Sequence, residues 1–334
     1  MSKLAKILND YTLPIAMLIG VVGYKWFVHL SALLPPLIFF MLFFTFCKIN
    51  PLDLRLHRWH FIVLAIQLAL TVLSYFLLLP IDALLAQGVM LCFIMPAATA
   101  GPIIAGKLGG SIQSLTSFTM LSNFATAIIV PMFFPIVNPA ADLSFRQACW
   151  LILQKVAPLL IGPFLLAWLL RLAYDAYQKK HNSPKRFQLS RSWASVPFYL
   201  WAVSLVVLMA QITMFLLTEE YDTKIVLLLT VCALAACLLQ FMIGKKVGEH
   251  FPSYPHGEDY HDVLVSELAA TDDMRLVTRI SAGQAFGQKN TTLGIWMAYA
   301  YLNPLSSVGA AAYIVWQNLF NSYQLARAAH GKKV

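Results

Sequence analysis

Long apolar stretches alternate with short polar connectors along almost the whole of this 334-residue chain. A helix needs roughly 20 mostly apolar residues to cross the hydrocarbon core of a bilayer. By this criterion the pattern predicts about ten spans. They are TM1 to TM10, at residues 12–30, 32–47, 60–79, 83–106, 112–137, 147–172, 195–217, 225–243, 277–302 and 304–327. We therefore predict an all-α polytopic membrane protein.

Two of these spans, TM4 and TM9, are broken near their middles. TM4 is interrupted by Pro96 and by Gly101-Pro102, and TM9 by the polar run GQKNTT at residues 287–292. Irregular backbone at membrane depth is tolerated only where it is buried in protein or lines a wet cavity. A pair of broken spans at matching places in two halves of a chain points to the binding site of a secondary transporter.

The chain divides near residues 138–143 into two halves of five predicted spans each. Because five is odd, the second half enters the membrane from the opposite side, which predicts inverted repeats at 1–138 and 139–334. In each half the broken span is the fourth. Each broken span is followed by a helix rich in small and hydroxyl residues, at 111–130 and 305–324, which allows close helix packing.

The composition and the charge distribution agree with this topology. Hydrophobic residues make up 59% of the chain and charged residues 12%, and the mean hydropathy is +0.70. The net charge of +9 is divided unevenly between the two predicted sides of the membrane. The loops on the less basic side contain few basic residues and five acidic ones, namely Asp82, Asp142, Glu219, Glu220 and Asp222. This asymmetry places both termini in the cytoplasm and argues against nucleic-acid binding.

The sequence lacks the residue patterns that several kinds of function require. The five cysteines lie in or beside apolar spans without CxxC spacing, which is typical of small buried hydrophobes. The polar loop 248–273 contains His256, Asp259, His261 and Asp262, but their spacing fits no zinc pattern. We predict a solvated loop with a short amphipathic helix at 263–274, and its role stays open. The chain has no phosphate-binding loop and no nucleophile–base pair. We therefore expect no metal, no cofactor, no ATP-driven pump and no enzyme.

Two lysines fall inside predicted spans, where an ionisable side chain is costly and is a functional candidate by default. Lys155 lies near one end of TM6 and can snorkel to the interface. Lys289 lies in the middle of TM9, within the break. Its ammonium could attract an anionic substrate directly, or it could replace a bound cation. No Asp or Glu lies in the core of any predicted span, so a carboxylate-based proton relay is not expected.

The candidate binding residues share a position in or beside the two breaks. Around the second break they are Gln284, Gln288, Lys289, Asn290, Thr291 and Thr292. Around the first they are Thr99, Gly101 and Pro102, with Thr119 and Asn123 on the next helix and Gln67 in TM3. Isolated Ser and Thr residues often bond to their own helix, but a run of five polar residues in a span needs other partners.

Several motifs of the chain, in their sequence and in their order along it, resemble those of the bile acid:sodium symporter family. PAATAGP (96–102) lies where that family has a PGGTASN-like crossover, and GQKNTTL (287–293) lies where it has GMQNSGL. Trp316-Gln317-Asn318 with Ser322 is similar to its WHN…S run, and Gln67 to its third-span glutamine. The resemblance covers nearly the whole chain. It implies a core domain of TM3–TM5 and TM8–TM10 that moves against a panel domain of TM1–TM2 and TM6–TM7.

The chain departs from the family at its sodium sites. Gly101 and Pro102 stand where the family has a Ser-Asn pair, Ala285 where it has a glutamate, and Lys289 where it has a glutamine. The chain is thus similar to a divergent member that lacks the usual sodium ligands. The resemblance implies that Lys289 stands in for sodium, that transport is sodium-independent, and that the substrates are organic anions. Sodium as the coupling ion stays open.

These observations predict a secondary active transporter of a small organic anion in the plasma membrane, working by alternating access. One alternative is an arsenite-type efflux carrier of the same fold, which has a cysteine directly after the crossover proline; here that residue is Ala97, and Cys92 lies a full turn earlier. Another alternative is a non-transporting membrane scaffold or sensor. Gly101-Pro102 in place of the sodium ligands agrees with this function, whereas the polar run 288–292 argues against it. The expected partners are the anion and the bilayer. The substrate, the direction of transport and the formation of a homo-oligomer stay open.

Overall fold

The structure is a computed structural model that describes residues 12–48, 54–139, 142–181, 187, 193, 196–253 and 267–330. It is 85% helical, and its described residues form no strand. The α-helices are α1 (Thr12–Val22), α2 (Tyr24–Phe27), α3 (Leu34–Phe46), α4 (Arg58–Leu78), α5 (Ala83–Ile94), α6 (Gly101–Lys107), α7 (Ile112–Val137), α8 (Phe145–Lys180), α9 (Val196–Thr218), α10 (Thr223–His250), α11 (Glu267–Gly287), α12 (Thr291–Tyr301) and α13 (Ser307–Ala329). Short 3₁₀ turns occupy Val28–Leu33 and Pro304–Ser306.

Six helical segments of the described chain are long and apolar enough to cross a membrane. They are Tyr24–Phe46, which joins α2 to α3, and the helices α4, α7, α8, α9 and α10. The predicted class, a helical membrane protein, agrees with these segments. The arrangement of ten spans in two inverted repeats stays a prediction.

The other predicted spans appear in a different form. Predicted TM4 is divided between α5 and α6, and predicted TM9 between the last part of α11 and α12, so each of these spans consists of two separate helices. Predicted TM6 continues to Lys180 as the 36-residue helix α8, which starts with a capping box between Ser144 and Gln147. Predicted TM10 corresponds to α13, whose polar side chains lower its hydropathy.

The chain divides into two compact units, each built from segments of both halves of the sequence. The first contains the described parts of Met1–Pro51, Ala127–Thr223 and Thr292–Ser307. In it, α9 packs against α1 and α3, and α8 packs against α3. The second contains the described parts of Leu52–Thr126, Lys224–Thr291 and Val308–Val334. The predicted repeats 1–138 and 139–334, and the predicted core and panel domains, stay predictions.

The second unit has a dry core and a very close helix contact. Trp59, Phe118 and Phe286 are fully buried in this core. Helices α10 and α11 touch along Gly244 and Gly248. A Cβ atom at Gly244 would lie 2.4 Å from the Ala282 carbonyl oxygen, and one at Gly248 would lie 2.4 Å from that of Thr278. The glycines therefore let the two backbones meet directly, as small residues do in membrane helices.

Candidate functional site

The two breaks pair with one another inside the second unit. Ala97 and Lys289 form an antiparallel bridge. The Ala98 N–H donates to the Gln288 carbonyl oxygen at 2.9 Å, and the Asn290 N–H donates to the Pro96 carbonyl oxygen at 2.8 Å. Breaking a helix leaves backbone groups without partners, which is costly away from water. Each break supplies partners for the other, so the irregular backbone is satisfied within the protein.

The C-terminal end of α5 is capped entirely by side chains. A helix end leaves its last carbonyl groups without partners within the helix. Here the carbonyl oxygens of Cys92, Phe93, Ile94 and Met95 accept, in that order, from Gln240 Nε2 (3.2 Å), Lys289 Nζ (3.3 Å), Thr126 Oγ1 (3.4 Å) and Gln67 Nε2 (3.1 Å). Lys289 therefore places its amino group at the negative end of a helix dipole, where a cation is stabilised.

Lys289 is the only lysine, arginine, aspartate or glutamate that is buried among the described residues, with 1% of its surface exposed. Its Nζ has the Phe93 carbonyl oxygen as acceptor and lies 4.9 Å from the centre of the Phe286 ring. Since none of the described carboxylates is buried, none neutralises it inside the protein. The site thus holds a buried lysine amine whose nearest partners are a carbonyl dipole and an aromatic face.

Gln317 on α13 fixes the backbone at Lys289. Its Oε1 accepts from the Lys289 N–H at 2.9 Å, and its Nε2 donates to the Lys289 carbonyl oxygen at 3.4 Å. Tyr313, one turn earlier, donates its hydroxyl to the carbonyl oxygen of Gly287, the last residue of α11, at 2.8 Å. Gln240 Nε2 donates to that same hydroxyl at 3.0 Å. Side chains from two other helices thus hold the second break as firmly as the first.

A line of buried amides leads away from the second break. Gln288 Nε2 donates to Gln284 Oε1 and, at 3.4 Å, to Asn321 Oδ1. Gln284 Nε2 in turn donates to Gln324 Oε1. Each of these four side chains is at most 4% exposed. The chain Gln288–Gln284–Gln324 therefore connects the break to the far part of α13 by direct hydrogen bonds.

Most of the remaining predicted residues lie in one of the breaks or contact it, whereas Thr119 and Asn123 bond elsewhere. Gln67, as described above, caps α5, and Thr291 and Thr292 are buried in the first turn of α12. Gly101 and Pro102 are buried at the start of α6, and Thr99 is half-buried in the turn before it.

Thr119 and Asn123 bond within their own helix rather than to the break. Thr119 Oγ1 donates to the Leu115 carbonyl oxygen at 3.0 Å, and Asn123 Nδ2 donates to that of Thr119 at 2.7 Å. Their neighbour Ser122 contacts the break instead: its Oγ accepts from the Ala97 N–H at 3.1 Å.

Sequence reasoning missed Gln240, Tyr313, Asn321 and Gln324, and it gave Gln317 no role in the site. A signal for three of these residues was present. Gln317, Asn321 and Gln324 have the spacing i, i+4, i+7, which places polar residues on one face of an otherwise apolar helix. Gln240 and Tyr313 carry no such pattern, because each is a single polar group among apolar neighbours.

Other candidates lie elsewhere. Lys155 is exposed on α8. His256, Asp259, His261 and Asp262 lie outside the described residues. The five cysteines are free thiols, and the Cys92 thiol donates to the Gly88 carbonyl oxygen of its own helix at 3.3 Å. Within the described ranges, no three His, Cys, Asp or Glu side chains are grouped closely enough to hold a metal ion.

No family model and no curated protein matches this chain. A function must therefore be inferred from the paired breaks and from the chemistry of Lys289.

Proposed function

We propose that this chain is a secondary active transporter of a small organic anion, and a divergent member of the bile acid:sodium symporter family. The proposal includes ten spans in two inverted repeats, with both termini in the cytoplasm and alternating access to the site. The observation that carries it is Lys289, a buried lysine at the point where two helix breaks pair. Breaks of this kind are typical of the binding sites of secondary transporters.

The contacts of Lys289 match those expected of a bound cation. In transporters with broken helices, cations bind to unwound backbone carbonyls and to the C-terminal ends of half-helices. Lys289 Nζ meets the second description, because its acceptor is the Phe93 carbonyl oxygen near the C-terminal end of α5. A covalently attached cation cannot be carried across and released. The proposed transport is therefore independent of sodium.

The same site favours an anion as substrate. An ammonium group has three N–H donors, and the described residues supply one hydrogen-bond acceptor for Lys289 Nζ. A buried charge without a charged partner is costly, so a carboxylate or sulfonate close to Nζ would be strongly favoured.

Uptake into proteoliposomes tests this proposal. The purified chain is reconstituted, and uptake of radiolabelled steroid conjugates and small carboxylates is measured with sodium or potassium outside. We expect uptake of at least one anion at the same rate in both salts. Uptake that requires sodium would contradict the assigned role of Lys289, and the absence of uptake of any anion would favour the alternative below.

One observation favours a non-transporting scaffold or sensor. All four terminal carbonyls of α5 are capped by protein side chains, so the break is stable without any ligand. A scaffold of this kind would neither take up organic anions nor be stabilised by them. The uptake experiment therefore separates the two functions.

A further inference from the structure

Three cationic side chains converge on one region of the second unit, each from a different helix. They are Lys245 on α10, Arg279 on α11 and Arg327 on α13, and all three are half-buried. Lys245 is close enough to Arg279 and Arg327 to be repelled by both. The stem of Lys245 crosses α11 at Gly283, where a Cβ atom would lie only 2.7 Å from Lys245 Cγ. Like charges held this close destabilise the protein unless something compensates them.

The contacts that these cations make within the protein are weak. Lys245 Nζ lies 5.7 Å from the centre of the Phe320 ring. Arg327 Nη1 donates to the Tyr323 hydroxyl at 3.5 Å, and its guanidinium lies 5.9 Å from the Tyr323 ring. Since none of the described carboxylates is buried, no buried acid balances the three charges.

Three buried N–H donors in this region have no acceptor among the described residues. They are Arg279 Nε, Arg327 Nε and Gln324 Nε2. Gln324 itself is 2% exposed, and its Oε1 is already used by Gln284. Buried donors are nearly always paired in native structures. Each of these three donors lacks an acceptor among the described residues, so a bound group with several acceptor oxygens and negative charge would satisfy them.

The positions on two helices bring these donors together. Arg279 and Gly283 are four residues apart on α11, so Lys245 crosses the face that carries Arg279. Phe320, Gln324 and Arg327 follow one another at i, i+4 and i+7 on α13, again on one face. Gln324 lies at the end of the amide chain that starts at Gln288, so the cationic region is separate from Lys289 but joined to it by hydrogen bonds.

We propose that Lys245, Arg279 and Arg327, with Gln324 as a fourth donor, form a binding site for a phosphate-bearing anion. A phosphate group carries up to two negative charges and several acceptor oxygens, which suits two guanidinium forks and an ammonium. One carboxylate would leave two of the three positive charges uncompensated. This site goes beyond transport and does not depend on the proposed function. The ligand is either a soluble phosphate or the headgroup of an anionic phospholipid.

The orientation of the protein in the membrane does not by itself explain this arrangement. Basic residues at helix ends on the cytoplasmic side fix topology through their charge alone. The exposed neighbours Lys246 and Arg275 can serve that purpose. Orientation requires neither the burial of guanidinium N–H donors nor a buried glutamine, Gln324, with an unpaired N–H three residues before Arg327.

Thermal unfolding of the full chain in detergent tests the soluble ligand, with sodium pyrophosphate as the probe at constant ionic strength. We expect pyrophosphate to raise the melting temperature in a saturable way. Arg279→Gln and Arg327→Gln should each weaken its apparent affinity by about tenfold, because each removes a charge-assisted hydrogen bond. Arg275→Gln on α11 and Lys246→Gln on α10 are the controls, since each removes one exposed charge next to a residue of the site and should change nothing.

Nanodiscs test the lipid source without pyrophosphate. If the ligand is a headgroup, the chain melts at a higher temperature in phosphatidylcholine with phosphatidylglycerol than in phosphatidylcholine alone, and Arg279→Gln removes the difference while Arg275→Gln keeps it. Folding is checked by the unliganded melting temperature, which should not fall in Arg279→Gln or Arg327→Gln, because removing one charge relieves repulsion. The proposal is overturned if neither probe stabilises the native chain, or if the control variants lose as much stabilisation as the site variants.

Discussion

At the scale of single residues, the sequence is most informative where a polar or charged residue lies within an apolar segment. Lys289 could be selected from the sequence because a charge in the middle of an apolar span has a high cost. Gln284 and Gln288 could be selected with it, because they are polar within the same break. The partners of Lys289 could not be predicted, since Phe93 and Gln317 lie 196 and 28 residues away in sequence and only the fold brings them close.

Replacing Lys289 tests its role directly. Lys289→Gln keeps a hydrogen-bond donor for the Phe93 carbonyl but removes the charge. We expect uptake in proteoliposomes to fall by at least about tenfold, or to become dependent on sodium, because the built-in cation is lost. Lys155→Met is the control: Lys155 is exposed on α8, so uptake should stay normal. Unchanged uptake by Lys289→Gln, with no response to sodium, would exclude a role for this charge in transport.

At the scale of helices, the sequence predicts where the chain breaks but not what the breaks do. Pro96, Gly101-Pro102 and the polar run 287–292 are local signals, and the structure has helix ends at both places. The antiparallel pairing of Ala97 with Lys289 is a contact between distant segments and has no local signal. The length of α8 was underestimated, because its last turns beyond residue 172 are polar and do not continue the apolar pattern.

Gln317 provides a test of the pairing. Gln317→Ala leaves the buried N–H and carbonyl oxygen of Lys289 without their side-chain partner, and each buried unpaired group costs about 1–3 kcal/mol. The variant should therefore unfold at a clearly lower temperature in detergent. Asn318→Ala is the matched control, because Asn318 only donates to the Ile314 carbonyl oxygen within its own helix. Equal losses in the two variants would mean that Gln317 has no special contact with the break.

The glycine contact between α10 and α11 gives a second test at this scale. Gly244→Ala places a methyl group 2.4 Å from the Ala282 carbonyl oxygen, so the two helices must separate. Overpacking of this kind costs about 1–3 kcal/mol, although alanine by itself favours a helix. Gly162→Ala is the control, since the nearest atom to its methyl group is a Phe39 ring carbon at 3.1 Å, which can move. A Gly244→Ala variant as stable as the native chain would show that the contact is looser than described.

At the scale of the whole molecule, hydropathy predicts the class of the protein better than its number of spans. In the described part of the chain, six segments are long and apolar enough to cross a membrane. TM4 and TM9 cannot be recognised in this way because their breaks divide them, and α13 is excluded by the same polar residues that hold the second break. The helix breaks and polar residues that form the site thus also make the helices that carry it harder to recognise by length and hydropathy.

The ten-span topology can be tested by labelling single cysteines in intact cells, after the five native cysteines are replaced. The arrangement predicts that cysteines at Asp142 and Asp222 react with a membrane-impermeant reagent from outside. Cysteines at Lys180 and His250 should react only after permeabilisation, because α8 and α10 separate them from the outer positions. All four positions are exposed, so access to the reagent depends on the side of the membrane. Labelling of Asp142 and Lys180 from the same side would contradict the inverted repeats.

The most direct test of the central claim, that Lys289 serves as a built-in cation beside an organic-anion site, is thermal unfolding of the purified chain with singly charged organic anions in sodium and in potassium. At about 100 times its Kd, a ligand that binds only the folded state stabilises it by about 2.7 kcal/mol. We predict equal stabilisation in both salts, loss of it in Lys289→Gln, and its retention in Arg279→Gln. Stabilisation that appears only in sodium, or that persists in Lys289→Gln, would contradict the claim.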